Sequence, residues 1–135
     1  MVYPNGDQYR GSMKDGKKHG NGTYLYVNGD VYEGEWVDDQ MNGRGTFSWF
    51  LGNRYEGQYK NGKMHGRGTF YFYTGEKYEG DWADNMRNGY GKYTWPNGNV
   101  YDGPHKNNNF HGDGKMIYFD GRVQKGKWKN NIFTA

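Results

Sequence analysis

One spacing governs this chain: tyrosine and glycine return every 23 residues without a slip. Tyr9, Tyr32, Tyr55, Tyr78 and Tyr101 stand in register, and so do Gly11, Gly34, Gly57, Gly80, Gly103 and Gly126. Three further series keep the same step, from Gly20 to Gly112, from Gly22 to Gly114 and from Gly6 to Gly121. Together they use almost all of the 24 glycines, so the glycine content is architecture and not a flexible linker. A fixed period of this size means one supersecondary unit per repeat, stacked on its neighbours.

With the tyrosine of each repeat as position 1, positions 1, 3 and 5 alternate with 2, 4 and 6, the period of a half-buried strand. In the second repeat Tyr32, Gly34 and Trp36 share one face, and Glu33 and Glu35 the other. Asp15-Gly16 and Asn61-Gly62 signal two-residue hairpin turns, which need positive φ. Such a turn predicts Gly57 opposite Gly66, Tyr55 opposite Gly68 and Glu56 opposite Arg67. The returning strand then carries Tyr24 and Tyr26, Phe47 and Trp49, Phe70 and Phe72, Tyr93 and Trp95, and Met116 and Tyr118 onto the tyrosine face.

At Asn28-Gly29 a second two-residue turn would cross the two faces. One extra residue repairs this, predicting a three-residue loop with glycine in the left-handed region. The expected pairs are Tyr26 with Tyr32, Tyr24 with Gly34 and Gly22 with Trp36. Each strand glycine then has a large ring as neighbour, and the rings lie down over glycine backbone. The expected fold class is all-β: an elongated, twisted, single-layer antiparallel sheet of repeated β-hairpins with no second layer.

Composition agrees. Aromatics make up 19% of the chain and supply most of its 33% hydrophobic content, so no thick aliphatic core can be built. Cysteine is absent, which rules out a disulfide framework and favours a cytoplasmic site. No apolar run reaches membrane-spanning length, and no signal peptide opens the sequence. The net charge of +3 permits weak attraction to anionic surfaces without demanding it.

The motif Tyr-Glu-Gly-Glu-Trp, then His-Gly-x-Gly, then Asn-Gly-Asp/Asn resembles the MORN repeat (membrane occupation and recognition nexus). It is clearest as YEGEW at 32–36, YEGQYKNGKMHGRGTF at 55–70 and YEGDW at 78–82. The resemblance covers essentially the whole chain as a single array. A half-repeat at 1–8 precedes repeats 9–31, 32–54, 55–77, 78–100 and 101–123, and a terminal half-repeat occupies 124–135. It implies a scaffold, as in junctophilins, ciliary radial spoke heads, apicomplexan and trypanosome cytoskeletal collars, and a groove that binds a myosin tail. Similar repeats are appended to phosphatidylinositol phosphate kinases and a lysine methyltransferase, whose chemistry lies in another domain. The fifth repeat departs from the pattern with Pro104 and His105, and Gln124 replaces the next tyrosine.

No catalytic, cofactor-binding or metal-binding residue is expected. His19, His65 and His111 recur in alternate repeats, about 19 Å apart at four strand spacings, too far to share a zinc ion. Glu33 with Glu35, and Glu79 with Asp81, pair on an open solvated face, whereas general acid–base work needs such a pair in a cleft. With two serines and no cysteine, nucleophilic catalysis has little raw material.

The aromatic face remains. Tyr32, Trp36, Phe47, Trp49, Tyr55, Tyr59, Phe70, Phe72, Tyr78, Trp82, Tyr93 and Trp95 form the expected partner-binding strip. Contiguous aromatic area of this extent rarely stays bare. The expected function is a non-enzymatic scaffold that binds an amphipathic helix or a second copy of the chain, in cytoskeletal, ciliary or axonemal assembly. The alternatives are a peripheral module for anionic phospholipid, and the repeat region of a lipid kinase. Acids interleave with the lysines and arginines that lipid binding would need. Nucleic acid is not an expected partner, since the aromatics lack convergent lysines.

Overall fold

The 23-residue step becomes a step of two strands. The computed structural model describes Met1–Ala135. Its strands are β1 Gln8–Lys14, β2 Lys17–Leu25, β3 Val31–Val37, β4 Gln40–Ser48, β5 Arg54–Lys60, β6 Lys63–Tyr71 and β7 Lys77–Ala83. Then follow β8 Met86–Thr94, β9 Val100–Lys106, β10 Asn109–Phe110, β11 Gly112–Ile117, β12 Val123–Lys129 and β13 Ile132–Phe133. All belong to one antiparallel sheet in which neighbours in sequence are neighbours in space, with β10 and β11 both paired to β9. There is no helix and no second layer.

The hairpin turns are the expected two-residue kind. Asn61 and Gly62 have φ of 50° and 82°, and Asp38-Asp39, Asp84-Asn85 and Asn107-Asn108 also take positive φ at both places. Asp and Asn tolerate this region better than other side chains. At the opposite edge, the Gly29 N–H donates to the Tyr26 carbonyl and the Tyr26 N–H to the Asp30 carbonyl, enclosing Val27-Asn28-Gly29 as a three-residue loop. Gly29 sits at φ 99°, in the predicted left-handed region.

The register differs from expectation by two residues on both sides. Beside the turn Tyr59 pairs with Met64, as counted, but farther along Gly57 pairs with Gly68, Glu56 with Thr69 and Tyr55 with Phe70. Gln58 faces three residues, His65, Gly66 and Arg67, across a bulge. Gly66 turns this corner with φ 88°, and its equivalents in the other repeats do the same. These glycines serve the bulge and do not lie under rings. Across the loop Tyr24 pairs with Tyr32, Gly22 with Gly34 and Gly20 with Trp36, because only three residues lie beyond the closing pair.

Both shifts have one consequence: glycine pairs with glycine. Gly22, Gly34, Gly45, Gly57, Gly68, Gly80, Gly91 and Gly103 form an unbroken row across the sheet. Beside it runs an aromatic row: Tyr24, Tyr32, Phe47, Tyr55, Phe70, Tyr78, Tyr93 and Tyr101. A side chain on the glycine row would occupy the space of the rings; a Cβ on Gly68 would stand 2.5 Å from Cε1 and Cζ of Tyr55. Each position-1 phenol then donates to the carbonyl three residues on, at the bulge. Tyr32 reaches Glu35, Tyr55 reaches Gln58, Tyr78 reaches Asp81 and Tyr101 reaches Pro104, at 2.8–2.9 Å.

The position-4 side chain holds the bulge from the polar face. Glu35, Gln58 and Asp81 accept the backbone N–H of Arg44, Arg67 and Tyr90 at 2.6, 3.1 and 3.2 Å. In the fifth repeat Pro104 has no acceptor to offer. There the second strand breaks at His111 into β10 and β11, so the disturbance falls on proline's partner and β9 itself stays continuous.

Side chains also latch each repeat to the next. The turn residues Asp39, Asn85, Asn108 and Asn131 accept the N–H of Lys18, Met64, Arg87 and Phe110, each at 2.8 Å. Gly62 stands in the same place with no side chain, keeping only its backbone bond to Met41, at 2.9 Å. Asn85→Gly removes a latch without straining the turn, and is expected to lower stability by about 1 kcal/mol. Gly62→Asn adds one and should raise it by a similar amount, as read from urea unfolding midpoints.

Candidate functional site

The aromatic face is built in two tiers. In the lower tier the position-5 rings of the second, third and fourth repeats each stand between the tyrosines of their own and the preceding repeat. Trp36 lies 5.7 and 5.1 Å from Tyr9 and Tyr32, Tyr59 lies 5.3 Å from both Tyr32 and Tyr55, and Trp82 lies 5.5 and 5.2 Å from Tyr55 and Tyr78. The interplanar angles run from 82° to 89°, the edge-to-face arrangement that ring quadrupoles favour. The indole N–H groups of Trp36, Trp82 and Trp128 donate to the carbonyls of Gly22, Gly68 and Gly114, at 3.1–3.2 Å.

The upper tier is a zigzag of positions 16 and 18. From Tyr26 it passes to Phe47, Trp49, Phe70, Phe72, Tyr93 and Trp95, with centroids 4.4–5.7 Å apart at each step.

The twelve residues of the expected strip therefore do come together, but they are not equally open. Tyr32, Tyr55 and Tyr78 are wholly buried, and Trp36, Trp82, Tyr59, Phe47, Phe70 and Tyr93 are at most 9% exposed. They are buried by one another, within one layer. Trp49, Phe72 and Trp95 remain half-buried and form a rim along the loop edge. Burial pushes the Tyr55 and Tyr93 phenols up to about 12, and Tyr59 higher still, so all are neutral donors at any ordinary pH.

The opposite border of the face is set by position 10. Met41 and Met64 pack there, while Lys18 and Arg87 bring charge onto the rings. Lys18 Nζ lies 5.1–5.8 Å from the centroids of Tyr3, Tyr9, Tyr24 and Trp36, and 3.4 Å from Asp39. Arg87 lies 5.0 Å from Tyr93 and 5.7 Å from Tyr78. These are cation–π contacts inside the chain.

Sequence reasoning missed a second row, at position 19. Val27, Phe50, Tyr73 and Phe119 are 69–73% exposed, and Leu51 beside Phe50 is 80% exposed. Each repeats directly after a rim ring, as in Trp49-Phe50 and Phe72-Tyr73, so the signal was an apolar pair at a fixed place in every loop. Their backbone is fixed from the preceding loop. Val27, Phe50, Tyr73 and Phe119 donate their N–H to Asp7, Asp30, Asn53 and Asn99, at 2.7–2.9 Å. Where proline, which lacks an N–H, takes this place at Pro96, the preceding loop carries Glu76 instead of Asp or Asn, and Glu76 accepts the Tyr93 phenol.

The polar face holds a trough of about 660 Å³ over the glycine row, lined by Thr23, Glu33, Arg44, Thr46 and Glu56 among others. No hydrophobic residue lines it, unlike small-molecule pockets. No three His, Asp or Glu side chains converge as metal ligands.

The MORN repeat signature matches residues 9–31, 32–54, 55–77, 78–100 and 106–121. The chain belongs to the MORN-repeat family. The fifth MORN match begins after Pro104 and His105, where the repeat departs from its pattern. MORN repeats are a fold often found in protein or membrane binding. No curated protein matches this MORN sequence. Among solved structures, the Drosophila melanogaster SAS-4 (dCPAP) TCP domain, in complex with a proline-rich motif of Ana2 (dSTIL), is similar to the MORN array. It is 15% identical over 94% of this chain and 81% of that one, with a TM-score of 0.44.

Proposed function

We propose that this MORN array is a non-enzymatic scaffold that holds a protein partner along the rim of its aromatic face, in cytoskeletal or axonemal assembly. The observation that carries the reading is the division of the face into a closed lower tier and an open rim. Trp49, Phe72 and Trp95 pack on their neighbours from one side and stay half-exposed on the other, aligned along the repeat axis. Tryptophan and tyrosine on a rigid surface supply large contact area at little entropic cost, which is why they dominate interface hot spots. One rim ring per two strands gives a spacing of about 9.6 Å, close to two turns of an α-helix at about 10.8 Å. An amphipathic helix laid along the rim is the occupant that spacing suits.

The test separates rim from core. Trp49→Ala with Trp95→Ala should leave the circular dichroism spectrum intact. An immobilised wild-type chain should retain a protein from extracts of its source cells that the double variant loses. Equal retention by both would remove the rim from the proposal. Trp36→Ala with Trp82→Ala is no substitute, because those rings are core and their loss unfolds the array. Wild-type chain should not float with anionic vesicles at physiological salt; flotation would favour the phospholipid alternative.

A further inference from the structure

We infer that the position-19 ridge is a self-association surface, through which two copies pair antiparallel about a two-fold axis at Tyr73. This goes beyond the rim reading and uses different side chains. The ridge is Val27, Phe50 with Leu51, Tyr73, Pro96 and Phe119, one apolar tip on each of five successive loops. Neither tier of rings covers it: five of these six side chains are 69–80% exposed. With an aromatic side chain contributing about 150–250 Å², the ridge presents roughly 700 Å² of apolar surface per copy. That is close to the ~800 Å² per partner of a standard interface, and above the ~300–600 Å² of the largest apolar patch on a typical monomer.

The occupant is identified by spacing and size. The tips recur once per two strands, about 9.6 Å, and a second copy carries the same spacing and the same twist along its whole length. A two-fold pair must be self-complementary, so the order of tips in one copy runs against that in the other. With the axis at the third tip, Tyr73 meets its own copy. The bulky Phe50-Leu51 pair then faces the compact Pro96, and the small Val27 faces the large Phe119. Large falls opposite small at both outer pairs, whereas a same-direction pairing sets Phe50-Leu51 against itself. The tips are also held firmly enough to serve. Val27 and Phe50 lean on the preceding loop's glycine, so that a Cβ on Gly29 would stand 2.6 Å from the Phe50 ring, while Tyr73 and Phe119 bring their own Cβ within 3.1 and 3.5 Å of one on Gly52 and Gly98. The pair would leave both rims free, giving a scaffold with two equivalent binding faces.

The chain has no cysteine, so introduced thiols report the geometry directly. Sedimentation equilibrium at tens of micromolar should give about twice the 15.7 kDa of one chain. Phe50→Ser, Leu51→Ser and Tyr73→Ser together should return the chain to monomer with its spectrum unchanged and with a urea midpoint that no longer depends on protein concentration. Under mild oxidation Tyr73→Cys should cross-link to itself. Val27→Cys and Phe119→Cys should each stay uncross-linked alone and cross-link when mixed. A monomeric wild type, a dimer that survives the triple serine variant, or Val27→Cys joining to itself as readily as to Phe119→Cys would overturn the inference. Trp49→Ala with Trp95→Ala should remain dimeric, which keeps this result separate from the fate of the rim.

Discussion

Gly68→Ala unfolds the centre of the array. The added methyl would overlap the Tyr55 phenol oxygen and stand 2.5 Å from two of its ring carbons. Neither side can yield. Tyr55 is wholly buried, fixed by its hydrogen bond to the Gln58 carbonyl and packed edge-on against Tyr59 and Trp82. Gly68 is paired on both sides within the ladder, to Gly57 and Gly80. Overpacking of this kind costs about 3 kcal/mol, a large part of a small array's stability, and because repeats are stabilised by their neighbours it splits the ladder in two. The urea midpoint, followed by tryptophan fluorescence, should fall accordingly. Tyr55→Leu lacks the overlapped atoms, so adding Gly68→Ala to that background should cost less than about 1 kcal/mol more. If the alanine costs the same with and without the phenol, the ring is not what the glycine accommodates. Gly66→Ala, only two residues away, fails for a different reason: its φ of 88° is a conformation that a Cβ disfavours.

That contrast marks where the sequence was legible. Period, strand alternation, both turn types and the identity of the aromatic face follow from residue order alone, because each is a local rule with a local signal. Register was not, because the glycine at position 12 and the glycine at position 14 look alike in sequence and do opposite things. Gly66 bends the strand at a bulge, and Gly68 lies beneath a ring. A bulge adds residues to one strand without a residue type of its own. The acceptor at position 4 was its trace: Glu35 and Asp81 read as members of solvated acidic pairs, yet each, like Gln58, caps a backbone N–H at the bulge. The twelve-residue strip was read correctly as one face, but alternation cannot say how deep a ring lies. Only the edge-to-face packing of neighbouring repeats separates Trp36, at 4% exposure, from the open Trp49 rim. The position-19 ridge escaped because loops were read for turn chemistry and not for what their tips expose.

His105 makes the array sensitive to mild acid. It takes the place of Trp36, Tyr59 and Trp82, wedged 4.8 and 5.2 Å from Tyr78 and Tyr101, and is 3% exposed. Burial first, and then the charge of Arg87, pull its pKa down from 6.5 to about 4, against a weaker opposing pull from the Gly91 carbonyl. Folding therefore holds the imidazole neutral, and between those two values the unfolded chain binds the extra proton. The stability contributed is full above pH 6.5, falls steadily as the pH drops towards 4, and is level below that. A shift of this size is worth on the order of 3 kcal/mol. The carboxylates held below their usual range, Asp7 by the Tyr24 phenol and Asp39 by the Lys18 N–H, withdraw their contribution only at lower pH, so the two windows do not overlap. Urea midpoints measured from pH 7.5 to 4 should show the decline, concentrated in the fourth and fifth repeats. His105→Trp restores the indole that its counterparts use to reach a glycine carbonyl, and should flatten the profile across this range. A profile that keeps its slope in that variant would place the proton elsewhere.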